Sequence, residues 1–128
     1  MPLISIVLPT YNRPHLLPLA VESILNQTYR DLELIVINNG SEEPTAEVLA
    51  SYSDPRLRVI TLNENIGFAQ ASNLGFDAIE GDWFTLMSDD DNLLPEALER
   101  LMAVPQEIDS AVNAVSCNCF SMNTQEFT

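Results

Sequence analysis

Three consecutive carboxylates, Asp89, Asp90 and Asp91, stand in the stretch FTLMSDDDNLLP, directly after an apolar run that reads as the inside of a sheet. Like charges crowded there repel, and each takes up a proton or a counter-ion in preference to staying bare. Something positive is therefore expected beside them. The chain offers little from its own composition: nineteen acidic residues face five arginines, there is no lysine, and the formal net charge is −14. That balance makes a nucleic-acid backbone or an anionic membrane surface a poor partner. A bound phosphate would need helix N-termini, backbone amides, one of the few arginines or a divalent cation, and the acidic triplet favours the cation.

Polar residues gather at the ends of other apolar runs as well. The runs are ISIVL (Ile4 to Leu8), LELIVI (Leu32 to Ile37), RVITL (Arg58 to Leu62), WFTLM (Trp83 to Met87) and AVNAVSC (Ala111 to Cys117), five predicted strands. Most are nearly continuous rather than alternating, as expected of strands covered on both faces of a parallel sheet. Between them lie apolar stripes at helical spacing: Leu17, Ala20, Val21, Ile24 and Leu25; Phe68, Ala71, Gly75, Ala78 and Ile79; Leu94, Leu98, Leu101 and Met102. A shorter helix is expected over Thr45 to Ser51. Strands alternating with helices specify an α/β layered domain with right-handed crossovers. In such sheets ligands bind beyond the carboxyl ends of the strands. There the sequence places PTYNRP (Pro9 to Pro14), NNGSEEP (Asn38 to Pro44), NENIGFAQASN (Asn63 to Asn73) and SDDDN (Ser88 to Asn92), four loops on one edge.

With 128 residues and 46% hydrophobic composition the chain suits one domain with its own core. No apolar run reaches membrane-spanning length, and MPLISIVLPT lacks the basic flank and cleavage site of a secretory signal. A cytoplasmic chain without a span is expected, with any membrane association coming from regions outside this sequence. Cys117 and Cys119 are read as reduced thiols, because a metal site would need further ligands and the lone His15 is remote in sequence. His15 receives no role.

Taken together, IVLPTYNRP, LELIVINNGS, NENIGFAQASNLGF and GDWFTLMSDDDNLLP resemble, in order and spacing, the nucleotide-sugar half of family 2 glycosyltransferases. The resemblance covers about Leu3 to Met102. It implies a Rossmann-like GT-A fold with a mainly parallel sheet and helices on both faces. It also implies transfer of a sugar from a nucleoside-diphosphate sugar to an acceptor, in an inverting reaction such as polysaccharide or cell-surface glycan synthesis needs. The SDDD stretch stands where the family carries its metal-binding DXD-type motif, so Mn²⁺ or Mg²⁺ is the implied cofactor. In the family pattern Asp90 matches the direct metal ligand, Asp89 faces the ribose or a metal-bound water, and Asp91 is the flanking acid. A cation there would stabilise the negative charge that develops on the departing diphosphate. The competing reading is that SDDDN caps a helix beginning near Leu94.

The same resemblance implies that Pro9, Thr10, Tyr11 and Asn12 line the donor pocket, with the Tyr11 ring against the nucleobase. Arg13 is the nearest cation to that pocket, and a plain surface-turn role suits it equally. Asn38 and Asn39 replace an acidic pair that the family usually carries before Gly-Ser. An amide offers both a donor and an acceptor, so Asn39 could hold uracil or another base, or form only a turn with Gly40. Asn65 is expected to cap the helix that follows, Gly67 to permit close backbone approach so that the helix presents free amides toward the donor, and Asn73 to close the motif; Asn38, Asn39, Asn65 and Asn73 are all expected among the donor-binding residues. Ser72 stands where an arginine is frequent. Phe68, Ala71 and Gly75 are expected in the core.

Inverting members take the acceptor proton with an acid from a later segment, and Glu126 lies in no recognisable context for that task. The base is expected beyond Thr128, and residues 1–128 are read as a single donor-binding domain without its acceptor half. The alternative is a non-catalytic nucleotide-sugar-binding or regulatory module. Bare repulsion within the triplet further predicts that Asp90→Asn and Asp91→Asn would each leave thermal stability level or raise it.

Overall fold

The computed structural model describes residues 1–108 and 112–116. The elements are β1 (Ile4–Thr10), α1 (Leu17–Leu25), β2 (Leu32–Asn39), α2 (Glu43–Ala50), β3 (Leu57–Leu62), α3 (Phe68–Asp77), β4 (Trp83–Leu86) and α4 (Ala97–Ile108). The four strands form one sheet in the order β3-β2-β1-β4, and every neighbouring pair is parallel. Their carboxyl ends therefore share one edge. The chain winds from β1 through β2 to β3 and then crosses back to β4 on the far side of β1, so the winding direction reverses between β1 and β4. A crevice forms at such a reversal.

Both faces of the central strands are covered, which is why β1 and β2 are buried along their whole length. On one face Ile4, Ile6, Leu8, Leu34 and Val36 pack against Leu17, Val21 and Ile24 of α1, Leu49 of α2, and Leu98 and Met102 of α4. On the other, Ile35 and Ile37 pack against Ala71 of α3, with Ile60, Ile66 and Ile79 around them. Each fully buried Leu or Ile contributes about 1.5–3 kcal/mol. Helix α3 lies so close to β1 that a Cβ on Gly75 would collide with the Val7 side chain, so that position accepts only glycine without repacking.

At the amino end of the sheet, Glu33 is buried, accepts hydrogen bonds from Ser5 Oγ at 2.6 Å and Glu80 N–H at 2.7 Å, and pairs with Arg58 at 2.9 Å. Burial pushes the Glu33 carboxyl up, but those donors and the guanidinium overcome it and hold the group below its ordinary value. The cluster ties the turn before β4 to β1 and β2, because Gly81 N–H donates to Ser5 Oγ at 2.8 Å.

Four expectations need correcting. Strands β1 and β2 run further than their apolar runs: Thr10 pairs with Asn38, Asn38 with Thr61 and Asn39 with Leu62. Among the described residues strand β4 is the outermost of the sheet, with Phe84 61% and Leu86 38% exposed. The run Ala111 to Cys117 supplies no strand over its described part, residues 112–116. Helix α4 starts at Ala97, not near Leu94. Cys117, Cys119 and Glu126 lie outside the described residues.

Candidate functional site

Parallel strand ends bring distant residues together. A cleft of about 260 Å³ at the carboxyl edge is lined by Pro9, Thr10, Tyr11 and Arg13 from the end of β1, Asn39 from β2, Asn65 and Phe68 around the start of α3, and Ser88 and Asp89 after β4. Its polar centre lies at the β1/β4 reversal. There Thr10 Oγ1 donates to Asp89 Oδ2 at 2.8 Å, and both groups are buried. Arg13 Nη1 donates to Asp89 Oδ1 at 3.1 Å and lies 3.4 Å from Asp90 Oδ2. Ser88 Oγ donates to Asp90 Oδ1 at 2.6 Å.

The three carboxyls thus occupy different surroundings. Asp90, half exposed, is held below the ordinary carboxylate range, first by the Ser88 hydroxyl and then, against some desolvation, by the Arg13 guanidinium. Asp91 is pushed up, chiefly by desolvation and further by the charges of Asp90 and Asp89. The capping reading does not hold for the triplet, since Asn92 to Glu96 separate it from the first residue of α4. What fixes the loop is Ser23 of α1 together with Gln27 and Thr28 in the turn that follows it. Gln27 is fully buried, donates to the carbonyls of Ser23 and Leu94 at 3.0 and 2.7 Å, and accepts from Leu98 N–H at 3.0 Å. Leu93 N–H donates to Ser23 Oγ at 3.1 Å and Thr28 N–H to the Pro95 carbonyl at 3.0 Å.

The asparagines are engaged with one another's loops. Asn39 Nδ2 donates to Asn65 Oδ1 at 3.2 Å and the Gly67 carbonyl at 3.4 Å, while its Oδ1 accepts from Ile66 N–H at 3.0 Å. Two of those partners are acceptors, which an ionised aspartate could not satisfy, so the amide at position 39 is required by the β3–α3 loop. Asn38 Oδ1 accepts from Ser41 N–H at 3.2 Å and shapes the turn after β2. Gly40 in that turn has φ +75°, and a Cβ there would strike the backbone of Glu64 and Asn65. Asn12, at φ +50°, latches two loops: its N–H donates to Ser41 Oγ at 3.0 Å and its Oδ1 accepts from Glu42 N–H at 2.7 Å.

Several expected roles change accordingly. Asn12 and Asn38 hold the turn after β2 and do not line the cleft. Asn65 is not the N-cap of α3; Gly67 holds that position, and Asn65 Oδ1 accepts the Gly67 N–H at 2.8 Å. Asn73 is exposed on α3 and is not part of the cleft lining. The Ser72 hydroxyl donates to the Phe68 carbonyl at 2.7 Å, within its own helix. Ala71 and Gly75 are buried as expected, but Phe68 is 59% exposed and faces the cleft with Tyr11, itself 46% exposed. Arg13, Phe68, Ser88 and Gln27 were not assigned to the site from sequence. Phe68 shares the helical stripe of Ala71 and Gly75, and only its place in the first turn of α3, at the rim of the sheet, could have set it apart.

Among the described residues no group of three or more His, Cys, Asp or Glu side chains is arranged to hold a metal ion. The oxygen donors of Asp89 and Asp90 do suit a hard divalent cation that completes its shell with phosphate oxygens and water.

The model for "Glycosyl transferase family 2" matches residues 5–128. The chain belongs to glycosyl transferase family 2. This family 2 chain is 36% identical over 112 residues to glycosyltransferase GlyG of Streptococcus pneumoniae, covering 86% of this chain and 37% of that protein. It is 39% identical over 111 residues to the GalNAc(5)-diNAcBac-PP-undecaprenol beta-1,3-glucosyltransferase of Campylobacter jejuni, covering 84% of this chain and 36% of that protein. The chain thus spans little more than a third of the length of these relatives. Among solved structures, the mannosyltransferase PcManGT from Pyrobaculum calidifontis, in complex with GDP-Man and Mn²⁺, superposes with a TM-score of 0.77 at 26% identity over 96% of this chain and 37% of that one. S. aureus TarS 1-349 shares the fold, with a TM-score of 0.76 at 24% identity over 81% of this chain and 31% of that one. The doubly wound parallel sheet of this family 2 chain is the GT-A fold.

Proposed function

We propose that residues 1–128 form a single donor-binding domain that holds a nucleoside-diphosphate sugar and a divalent cation for inverting glycosyl transfer. The observation that carries this reading is the convergence of Thr10, Arg13, Asp89 and Asp90 at the β1/β4 reversal, beside a cleft walled by Tyr11 and Phe68. Tyr11 and Phe68 offer exposed rings to a nucleobase, and stacking supplies affinity with little discrimination between bases. Asn39 shapes the pocket through the Asn65–Gly67 loop, so base choice rests on loop backbone as much as on its side chain. Asp90 is assigned the direct metal contact and Asp89 the ribose or a metal-bound water, with Asp91 flanking.

A bound cation would supply charge stabilisation for the departing diphosphate. The residues of the chain orient it: Thr10 and Ser88 fix the two carboxylates, and Gln27 fixes the loop that bears them. The GDP-Man and Mn²⁺ in PcManGT support this assignment. The undecaprenol-linked substrate named for the Campylobacter jejuni relative supports an acceptor in cell-surface glycan synthesis. The acceptor-activating base is assigned to none of the described residues. No helix among them is long and apolar enough to cross a membrane. Calorimetric titration with UDP and GDP, in Mn²⁺ and in EDTA, tests the reading. Binding of at least one nucleotide in Mn²⁺, lost in EDTA and largely lost in Asp90→Asn, is the expected result; equal affinity in EDTA, or an Asp90→Asn chain that binds like the parent, would contradict it.

A further inference from the structure

The positive charge demanded by the acidic triplet comes from the chain itself. Among the described residues Arg13 is the one arginine with an ion pair to the triplet; Arg56 pairs with Asp54, Arg58 with Glu33 and Arg100 with Glu96. Its guanidinium bridges Asp89 Oδ1 and Asp90 Oδ2. The remaining carboxylate oxygens, Asp89 Oδ2 and Asp90 Oδ1, accept from Thr10 and Ser88. Each of the four oxygens therefore has one partner and keeps a second lone pair, so a divalent cation shares its oxygen with a partner already present.

The partners differ in how readily they yield. Thr10 is buried in β1, and both Thr10 and Ser88 are neutral hydroxyls that share a carboxylate oxygen with a cation without charge repulsion. Arg13 carries a like charge to the cation, and its side chain is 47% exposed. Its backbone is fixed, since the Arg13 carbonyl accepts from Leu16 and Leu17 N–H at 3.1 and 3.0 Å at the start of α1. Only the side chain is free to move, and it already lines the cleft.

We propose that Arg13 is an internal counter-ion, competing with the divalent cation for Asp90 and turning to the ligand's diphosphate when the cation binds. The proposal rests on the metal reading above. A guanidinium fork suits two phosphate oxygens as well as two carboxylates, so the charge released from one is recovered on the other.

The two halves of the proposal predict opposite changes in one variant. In Arg13→Gln, affinity for Mn²⁺ alone, read from the paramagnetic resonance of free Mn²⁺, rises about two- to fivefold, the worth of an exposed ion pair. Affinity for UDP or GDP in saturating Mn²⁺, read by calorimetry, falls about tenfold with the lost charged hydrogen bonds. Arg13→Lys, which keeps the charge without the fork, falls between parent and Arg13→Gln in both. A merely structural arginine would move both affinities downward together. Unchanged or weaker binding of Mn²⁺ alone by Arg13→Gln overturns the competition, and unchanged nucleotide affinity overturns the turn to the diphosphate. A parent chain that binds neither nucleotide in Mn²⁺ defeats the metal reading and this proposal with it. A parent that binds, beside an Arg13→Gln chain that binds identically, defeats this proposal alone.

Discussion

Asp90 and Asp91 are adjacent and carry the same charge, yet their surroundings push them in opposite directions. Asp90 gains a hydroxyl donor and a guanidinium; Asp91 gains only desolvation and two like charges. The uniform expectation from bare repulsion therefore divides. A carboxyl held low contributes stability above its unfolded value and loses it as pH falls through the folded value, so Asp90→Asn should lower the metal-free melting temperature at pH 7. A carboxyl held high costs stability while ionised, so Asp91→Asn should raise it. Each effect should stay under about 1 kcal/mol, because both groups are exposed to solvent. Melting curves from pH 7 to pH 3 should show both gaps closing as the acids protonate. A drop for Asp91→Asn at neutral pH would contradict this assignment. At this scale the sequence marked the acids but not their partner. Arg13 is far from them along the chain, and nothing in PTYNRP distinguishes a surface-turn arginine from one that crosses to β4. The amide at position 39 was equally illegible, since its reason is the pair of acceptors at Asn65 and Gly67.

At the scale of elements, the runs of Ile, Val and Leu identified β1 to β4 because β1 and β2 are covered on both faces and β3 and β4 keep partly buried apolar residues against them. They underestimated where β1 and β2 end, because Pro9, Thr10, Asn38 and Asn39 are polar or imino residues that pairing to neighbours keeps in the sheet. The consequence is functional. Thr10 and Asn39 act from a rigid ladder, and only the residues beyond them belong to loops. The turn after helix α1 anchors the other side through Gln27, an amide whose three bonds to Ser23, Leu94 and Leu98 no periodicity marks. Gln27→Leu keeps the volume approximately and takes the Gln27 partner from the Leu98 N–H and the Ser23 carbonyl, while the Leu94 carbonyl keeps the Ala97 N–H. It should cost about 2–4 kcal/mol. Urea denaturation should show a lower midpoint with an unchanged slope, and Mn²⁺-dependent nucleotide affinity should fall with it, because the loop from Ser88 to Pro95 loses its clamp. A variant as stable as the parent would show that Ser23 and Thr28 hold the loop unaided.

At the scale of the whole molecule, the doubly wound order follows from covered strands and helical connections, and it places the winding reversal where Thr10 meets Asp89. The alternation of elements made the α/β class legible. It did not reveal that β4 is the outermost strand among the described residues, because WFTLM reads as buried although its outer residues face solvent in the described structure. The net charge of −14 repels any nucleotide that arrives without a cation. The most direct measurement of the shared site is paramagnetic broadening of backbone amide resonances by substoichiometric Mn²⁺, with UDP or GDP and with Mg²⁺ as the diamagnetic reference. Selective loss of the signals of Thr10 to Arg13 and Ser88 to Asp91, strengthened by nucleotide and abolished by Asp90→Asn, is the predicted result. Broadening spread over the acidic surface, or centred away from the β1/β4 reversal and indifferent to nucleotide, would contradict the account.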